Sequence, residues 1–181
     1  MFGLIESQPL KLLLTHYLEV RGARRLPARR DIDALKLGPV LSVIWINEYE
    51  PEAGTFRYRL AGEEVNAVFG TSVSGRLLSD FVAEEFFAPV NENFLRVIDA
   101  EEAMLVSGPM YRCAERVAIG ERLALPLSSD GEKADGIIGA TVRRSLVDLD
   151  SVAFQDQQRT FVSIDDLENP VAGRAANGPG C

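Results

Sequence analysis

The stretch VLSVIWINEYEPEAGTFRYRLAG, residues 40–62, predicts a β-hairpin. Residues 40–49 are rich in β-branched and aromatic side chains, which favour a strand. A turn with proline and glycine follows at residues 50–54, and a second strand is expected at residues 56–60. Apolar and basic side chains alternate in that second strand, which places them on opposite faces of a sheet. The apolar set is Phe56, Tyr58 and Leu60, and the basic set is Arg57 and Arg59.

Helices and three more strands are predicted after this hairpin. A short helix is expected at residues 63–69, and a longer one at residues 79–100 has apolar side chains at helical spacing. Pro89 marks a kink in the longer helix or a boundary between two helices. The strands are predicted at residues 104–113, 116–127 and 136–143. The expected fold class is α+β, a five-stranded antiparallel sheet with a helical insertion after the second strand and an extra N-terminal helix.

The extra helix is predicted at residues 8–21 and has an apolar stripe on one side. A helix of about 14 residues is marginal in water, so the stripe must be buried against something. Either the chain's own sheet or the same helix of a second subunit provides that surface. We expect the second arrangement, a homodimer whose contact is formed by Leu10, Leu14, Tyr17 and Leu18.

Composition divides the chain of 181 residues into three parts. Residues 1–22 form the N-terminal helix, residues 23–145 the sheet domain, and residues 146–181 a C-terminal extension. The last 17 residues are rich in glycine, proline and asparagine, and we expect them to be disordered and dispensable for folding.

Charge and hydropathy restrict the partners and the location. The net charge is -8 and is concentrated after residue 36, so the acidic body would repel a phosphate backbone and nucleic-acid binding is not expected. No apolar run is long enough to cross a bilayer. The first residues lack the basic segment of a signal peptide. We therefore expect a cytoplasmic protein that does not bind membranes.

Catalytic and metal-binding motifs are not evident in the sequence. His16 is the only histidine, which excludes a two-histidine metal site, and no Gly-x-Ser-x-Gly motif provides a nucleophile for it. His16 is expected to be exposed or to pack the first helix. No glycine-rich segment has the form of a phosphate-binding loop. We expect no catalytic residue, no metal and no enzymatic activity.

Four short motifs, in this order along the chain, resemble those of a PAS-like family found mainly in alphaproteobacteria. They are RLPARRDID at residues 25–33, FRYRLAG at 56–62, Gly75-Arg76, and LPLS at 125–128 before Asp130-Gly131. The likeness covers about residues 10–145, and Ala34 departs from it where the family usually has proline. The resemblance implies a PAS fold and a sensory or protein-interaction role in signalling.

Neither the flavin of light-sensing PAS domains nor the haem of haem-binding PAS domains is expected here. Light-sensing PAS domains use a cysteine in a motif of the Asn-Cys-Arg-Phe type, which this chain lacks. Haem-binding PAS domains usually use a histidine in the helical insertion, and no histidine lies between residues 63 and 103. Cys113 is therefore expected to be a small buried side chain.

A ligand cavity between sheet and helices is the candidate site. Its expected lining is Trp45, Tyr58, Arg59, Phe69 and Tyr111, with Arg59 as the group that would recognise an anion. The alternatives are that the aromatic side chains are core packing and that the arginine pairs with acids on the neighbouring strand. We expect a non-catalytic sensory domain that acts through protein contacts with a signalling partner, after binding a small ligand. An enzyme using the same cavity and a structural adaptor with a filled core remain as alternatives.

Overall fold

A computed structural model describes residues 1–113, 115–153 and 156–168 of the chain. The helices of the described part, apart from short 3-10 turns, are α1 (Gln8–Arg21), α2 (Glu63–Phe69) and α3 (Glu84–Asp99). Its strands are β1 (Ile44–Glu50), β2 (Thr55–Ala61), β3 (Glu102–Cys113), β4 (Arg116–Ser128), β5 (Ala134–Asp148) and β6 (Gln158–Ser163). The last 17 residues were predicted to be disordered, but residues 165 and 166 belong to a 3-10 turn and Leu167 is fully buried in the core, so the prediction is wrong for this part. From residue 169 onward the predicted disorder lies outside the described residues.

One antiparallel sheet with strand order β2-β1-β5-β4-β3-β6 contains all six of the described strands. The prediction of α+β architecture with helices after the second strand is confirmed, but the prediction of five strands is wrong. The missed strand is β6, which pairs with β3 from Glu102↔Ser163 to Ser107↔Gln158. Only six residues long, β6 lies within the segment that was interpreted as an extension.

The hairpin of β1 and β2 forms as predicted at one edge of the sheet, with two local differences. Residues 38–43 form a 3-10 helix with Pro39 at its start, so β1 begins at Ile44 rather than at residue 40. A bulge between Ile46 and Asn47 shifts the pairing with β2, which moves Leu60 away from the face of Phe56 and Tyr58. Leu60 is therefore 37% exposed, whereas the other two side chains are buried.

Helix α1 covers one face of the sheet through its apolar stripe. Leu10, Leu14 and Tyr17 are fully buried in the core of their own chain, and Leu18 is partly buried against it. The Tyr17 hydroxyl donates a hydrogen bond of 2.8 Å to the carbonyl oxygen of Pro126 in β4. The predicted homodimer contact through these four residues is corrected accordingly, because the chain's own sheet already occupies the stripe. The homodimer itself stays a prediction.

Glu121 of β4 fixes the start of α1 on the sheet. Its carboxylate accepts hydrogen bonds from the backbone N–H of Glu6 at 3.1 Å and of Ser7 at 2.8 Å, and from the Ser7 hydroxyl at 2.7 Å. The Arg144 guanidinium lies 2.8 Å from the same carboxylate. Burial alone would raise the pKa of Glu121, but the hydrogen bonds from Ser7, Glu6 and Arg144 together lower the pKa. The buried carboxylate therefore stays charged at neutral pH.

His16 packs the other side of α1, which confirms one of the two roles expected for it. The side chain is buried, and its Nε2 accepts a hydrogen bond of 3.0 Å from the backbone N–H of Asp33. Burial and the positive charge of Lys36 lower the pKa of His16, so the imidazole is neutral at pH 7. This accepted hydrogen bond ties the polar linker to the helix.

Truncation of the buried stripe is predicted to destabilise the fold without changing the assembly. Leu14 is 0% exposed and Leu12, on the same helix, is 36% exposed, which makes them a matched pair. Leu14→Ala should lower the free energy of unfolding by about 2–5 kcal/mol. Leu12→Ala should change it by less than about 0.5 kcal/mol. Urea denaturation measures both, and a change of oligomeric state in Leu14→Ala by light scattering would contradict the intramolecular role.

Removal of the Glu121 charge is predicted to change the dependence of stability on pH. Glu121→Gln should cost about 1–3 kcal/mol at pH 7 because buried donors lose a charged acceptor. Since folding lowers the pKa of Glu121, its contribution is present above the ordinary glutamate pKa of about 4.3 and is lost as the pH falls through the lowered value. The difference between wild type and variant should therefore shrink on acidification. Glu52→Gln, at an exposed turn position, is the control. A difference that stays constant down to about pH 2 would refute this role.

Candidate ligand-binding cavity

A cavity of about 430 Å³ lies on the sheet face opposite α1, beneath α3. Its volume is within the usual range for small-molecule sites. Apolar and aromatic side chains form most of the lining, with α3 and β3 as its main contributors, and polar groups are few. The apolar and aromatic part comprises Tyr58, Val68, Phe69, Leu78, Phe81, Val82, Ala83, Phe86, Pro89, Val90, Phe94, Met104, Val106, Met110 and Tyr111.

The alternation of side chains along β3 and the four-residue spacing of side chains along α3 place these residues in the cavity wall. Met104 and Val106 alternate on β3, so both point toward α3. Val90 and Phe94 are four residues apart on α3 and therefore share the helix face that turns toward the sheet. Pro89, predicted to mark a kink or a boundary, lies inside the single helix α3.

One wall of the cavity is a chain of aromatic contacts. Phe81 meets Tyr58 edge-to-face at 5.2 Å between ring centroids and meets Phe69 at 4.8 Å. Phe69 in turn meets Tyr111 at 5.6 Å. The structure thus brings together three of the five residues predicted for the site, Tyr58, Phe69 and Tyr111. Burial raises the pKa of Tyr58, so its phenol is neutral and offers a hydroxyl rather than a charge.

Trp45, predicted to line the cavity, lies behind its wall in the core. The side chain is 1% exposed and contacts the rings of Tyr58 and Phe94 at 5.8 and 5.3 Å. Its Nε1 donates a hydrogen bond of 3.0 Å to the Thr141 hydroxyl. The indole lies flat on β5, where a Cβ on Gly139 would come within 2.2 Å of its Cζ2 atom. The structure therefore supports the packing alternative for Trp45.

Arg59 also lies outside the cavity, which corrects its predicted role. Its guanidinium is exposed and pairs with Glu48 and with Glu50, the latter at 3.3 Å. Arg57 pairs with Glu50 at 2.8 Å. Both arginines thus pair with acids of the neighbouring strand β1, as the alternative interpretation had it.

The cationic groups of the cavity are instead Arg122 of β4, Arg159 of β6 and Arg112 of β3. Arg122 is partly buried; its Nε donates to the Thr141 hydroxyl at 3.1 Å, and its Cζ lies 5.1 Å from the ring centroid of Tyr111. Burial lowers the pKa of Arg159, and the nearby positive charge of Arg122 lowers it further. These three arginines were not identified from the sequence. The signal for Arg122 was its position next to Leu123, because neighbouring residues of a strand point to opposite faces of the sheet.

Other polar groups of the lining are Glu85, Asn93 and Gln157. Nowhere in the described ranges do three or more histidine, cysteine, aspartate or glutamate side chains come together in a way that could hold a metal ion. The expected role of Cys113 stays a prediction, because its side chain is outside the described part. The expectation that no cofactor binds stays a prediction as well.

These features define an α+β domain with helices inserted after the second strand and a ligand-sized cavity between those helices and the sheet. The sequence profile of the PAS domain family matches residues 5–142. The chain belongs to the PAS domain family. No curated protein and no solved structure matches the chain at a significant level. No helix within residues 1–113, 115–153 and 156–168 combines the length and apolar composition needed to cross a bilayer.

A methyl group at position 139 is predicted to disturb the core behind the cavity. Gly139→Ala should cost about 1–3 kcal/mol, because the new Cβ overlaps the indole of Trp45. In a Trp45→Phe background the same substitution should cost at least about 0.5 kcal/mol less, as a double-mutant cycle measures. Gly38→Ala, where a Cβ meets nothing within 4 Å, is the control. Equal costs in both backgrounds would show that the indole is not the obstacle.

Proposed function

We propose that this PAS domain is a non-catalytic sensory domain that binds a small molecule with an apolar body in the cavity beneath α3. The observation that carries the proposal is the cavity itself, of about 430 Å³ with a largely apolar lining. A structural adaptor with a filled core would not leave such a space. A cavity lined by Tyr58 and Phe69 favours a sensor over an adaptor, and both residues contribute to the lining.

The chemistry of the lining supports binding rather than catalysis. Its polar side chains among the described residues are arginines, tyrosines, two amides and Glu85, without a nucleophile next to a base. His16, the only histidine, belongs to α1 on the other face of the sheet. An enzyme using this cavity remains the alternative, and its candidate acids would be Glu85 and the phenols of Tyr58 and Tyr111.

Signalling requires that ligand binding favours one of two conformations or assembly states. Helix α3 forms much of the cavity, so an occupant would change how the helix packs on the sheet. We infer that this packing is read by a signalling protein or by a second subunit of a homodimer. A cytoplasmic location in a bacterium, within the PAS-like group found mainly in alphaproteobacteria, is part of the same proposal.

The proposal predicts that decan-1-ol binds the full chain and that blocking the cavity prevents binding. Val90→Trp places a large ring in the cavity from α3, whereas Glu92→Trp adds the same ring at an exposed position of that helix. Calorimetric titration should show at least about 10-fold weaker binding for Val90→Trp and an unchanged affinity for Glu92→Trp.

Native mass spectrometry of the purified wild-type chain adds a second readout, the mass of any small molecule that co-purifies. Melting curves check that both variants are folded. Equal affinities of wild type and Val90→Trp for decan-1-ol, or no binding by wild type, would count against the proposed function.

A further inference from the structure

We propose that the occupant of the cavity is an amphipathic carboxylate, a small acid whose apolar body lies along α3 and whose head group is held by Arg122 and Arg159. This inference rests on the proposed function and specifies its ligand class. It depends on the strand register, on the charges of the lining and on the shape of its apolar part.

The register of the sheet places the two arginines in one row. Val106 of β3 pairs with Arg122 of β4 on one side and with Arg159 of β6 on the other. Residues that pair across neighbouring strands point to the same face, and Val106 lines the cavity. The Cα atoms of the two arginines are therefore about 10 Å apart, two strand spacings, with only the short valine between them. Both long side chains can reach a common head group above Val106.

The positive charge in this row is not compensated by carboxylates of the described residues. No salt bridge in the described part of the chain joins Arg122, Arg159 or Arg112 to a carboxylate. This contrasts with Arg57 and Arg59 on β2, which are both paired. Among the described residues that line the cavity, Glu85 is the only carboxylate, against three guanidinium groups. Partly buried like charges repel each other, so an anion bound between them would stabilise the folded state.

The groups that are present fit a carboxylate. A guanidinium donates two parallel hydrogen bonds to a carboxylate, and the remaining lone pairs of the head group can accept from a second guanidinium. The Tyr111 ring and the Thr141 hydroxyl hold Arg122 in place through the contacts described above. The apolar remainder of the cavity, from Met104 to Val90, would receive the body of the ligand.

Binding of three probes to the full chain at pH 7.5 separates the contribution of the charged head group from that of the apolar body. Decanoate has both, decan-1-ol has the body without the charge, and acetate has the charge without the body. Calorimetry with the wild type should give an affinity for decanoate at least about 10-fold above that for decan-1-ol, and no measurable binding of acetate.

Substitutions of Arg122 and Arg159 test whether these side chains cause the difference in affinity between decanoate and decan-1-ol. Arg122→Gln and Arg159→Gln should each reduce decanoate affinity by about 10-fold or more and leave decan-1-ol affinity unchanged, which also shows that the cavity is intact. Arg122→Lys keeps the positive charge but loses the two parallel N–H donors of the guanidinium. Its decanoate affinity should therefore fall less than that of Arg122→Gln. Arg30→Gln, an exposed position outside the cavity, should bind both probes as the wild type does.

Failure of this inference differs from failure of the proposed function. Equal wild-type affinities for decanoate and decan-1-ol, or arginine variants that bind decanoate normally, would overturn the carboxylate assignment while the cavity remains a binding site. Acetate binding comparable to decanoate would overturn the need for an apolar body. A wild type that binds neither decanoate nor decan-1-ol would remove both proposals.

Discussion

The six-stranded sheet must bury two faces, and the rest of the structure depends on how each face is covered. Helix α1 covers one face with its buried apolar stripe, and Glu121 fixes where the helix begins. Helix α3 covers the other face but leaves about 430 Å³ beneath it. If β4 shifted its pairing by one residue, its side chains would exchange faces of the sheet. Arg122 would then point into the core beneath α1. The register thus decides both the stability of one face and the chemistry of the other.

Local patterns were sufficient to predict most of the fold. The hairpin around residues 50–54, the helix before β3 and the three-strand meander have periodicities that tertiary contacts do not override. β6 was missed because a six-residue edge strand has little periodicity, and its pairing with β3 is a long-range contact. The stripe of α1 was recognised, but periodicity shows only that a face is buried, not which surface buries it. The bulge that exposes Leu60 has no signal in composition either.

The candidate site was harder to predict than the fold. Large aromatic residues such as Tyr58 and Phe69 are natural candidates, since they bury area in any core or pocket. Arginine in a strand is interpreted as exposed by default, which is correct for Arg59 and misleading for Arg122. The difference lies in the partners. Arg59 has Glu48 and Glu50 across the strand, whereas Arg122 has Val106 and Thr141, and only the register reveals this.

Trp45 and Gly139 are expected to change together during evolution. The indole occupies the space above Gly139, so a larger residue at position 139 can be accepted only after the tryptophan has been replaced by something smaller. Once position 139 has acquired a side chain, tryptophan cannot return to position 45 by a single substitution. Related chains with tryptophan at position 45 should therefore have glycine at position 139, whereas chains without that tryptophan can have glycine or a larger residue there. The order in which the two substitutions occur is set by the close packing of the core.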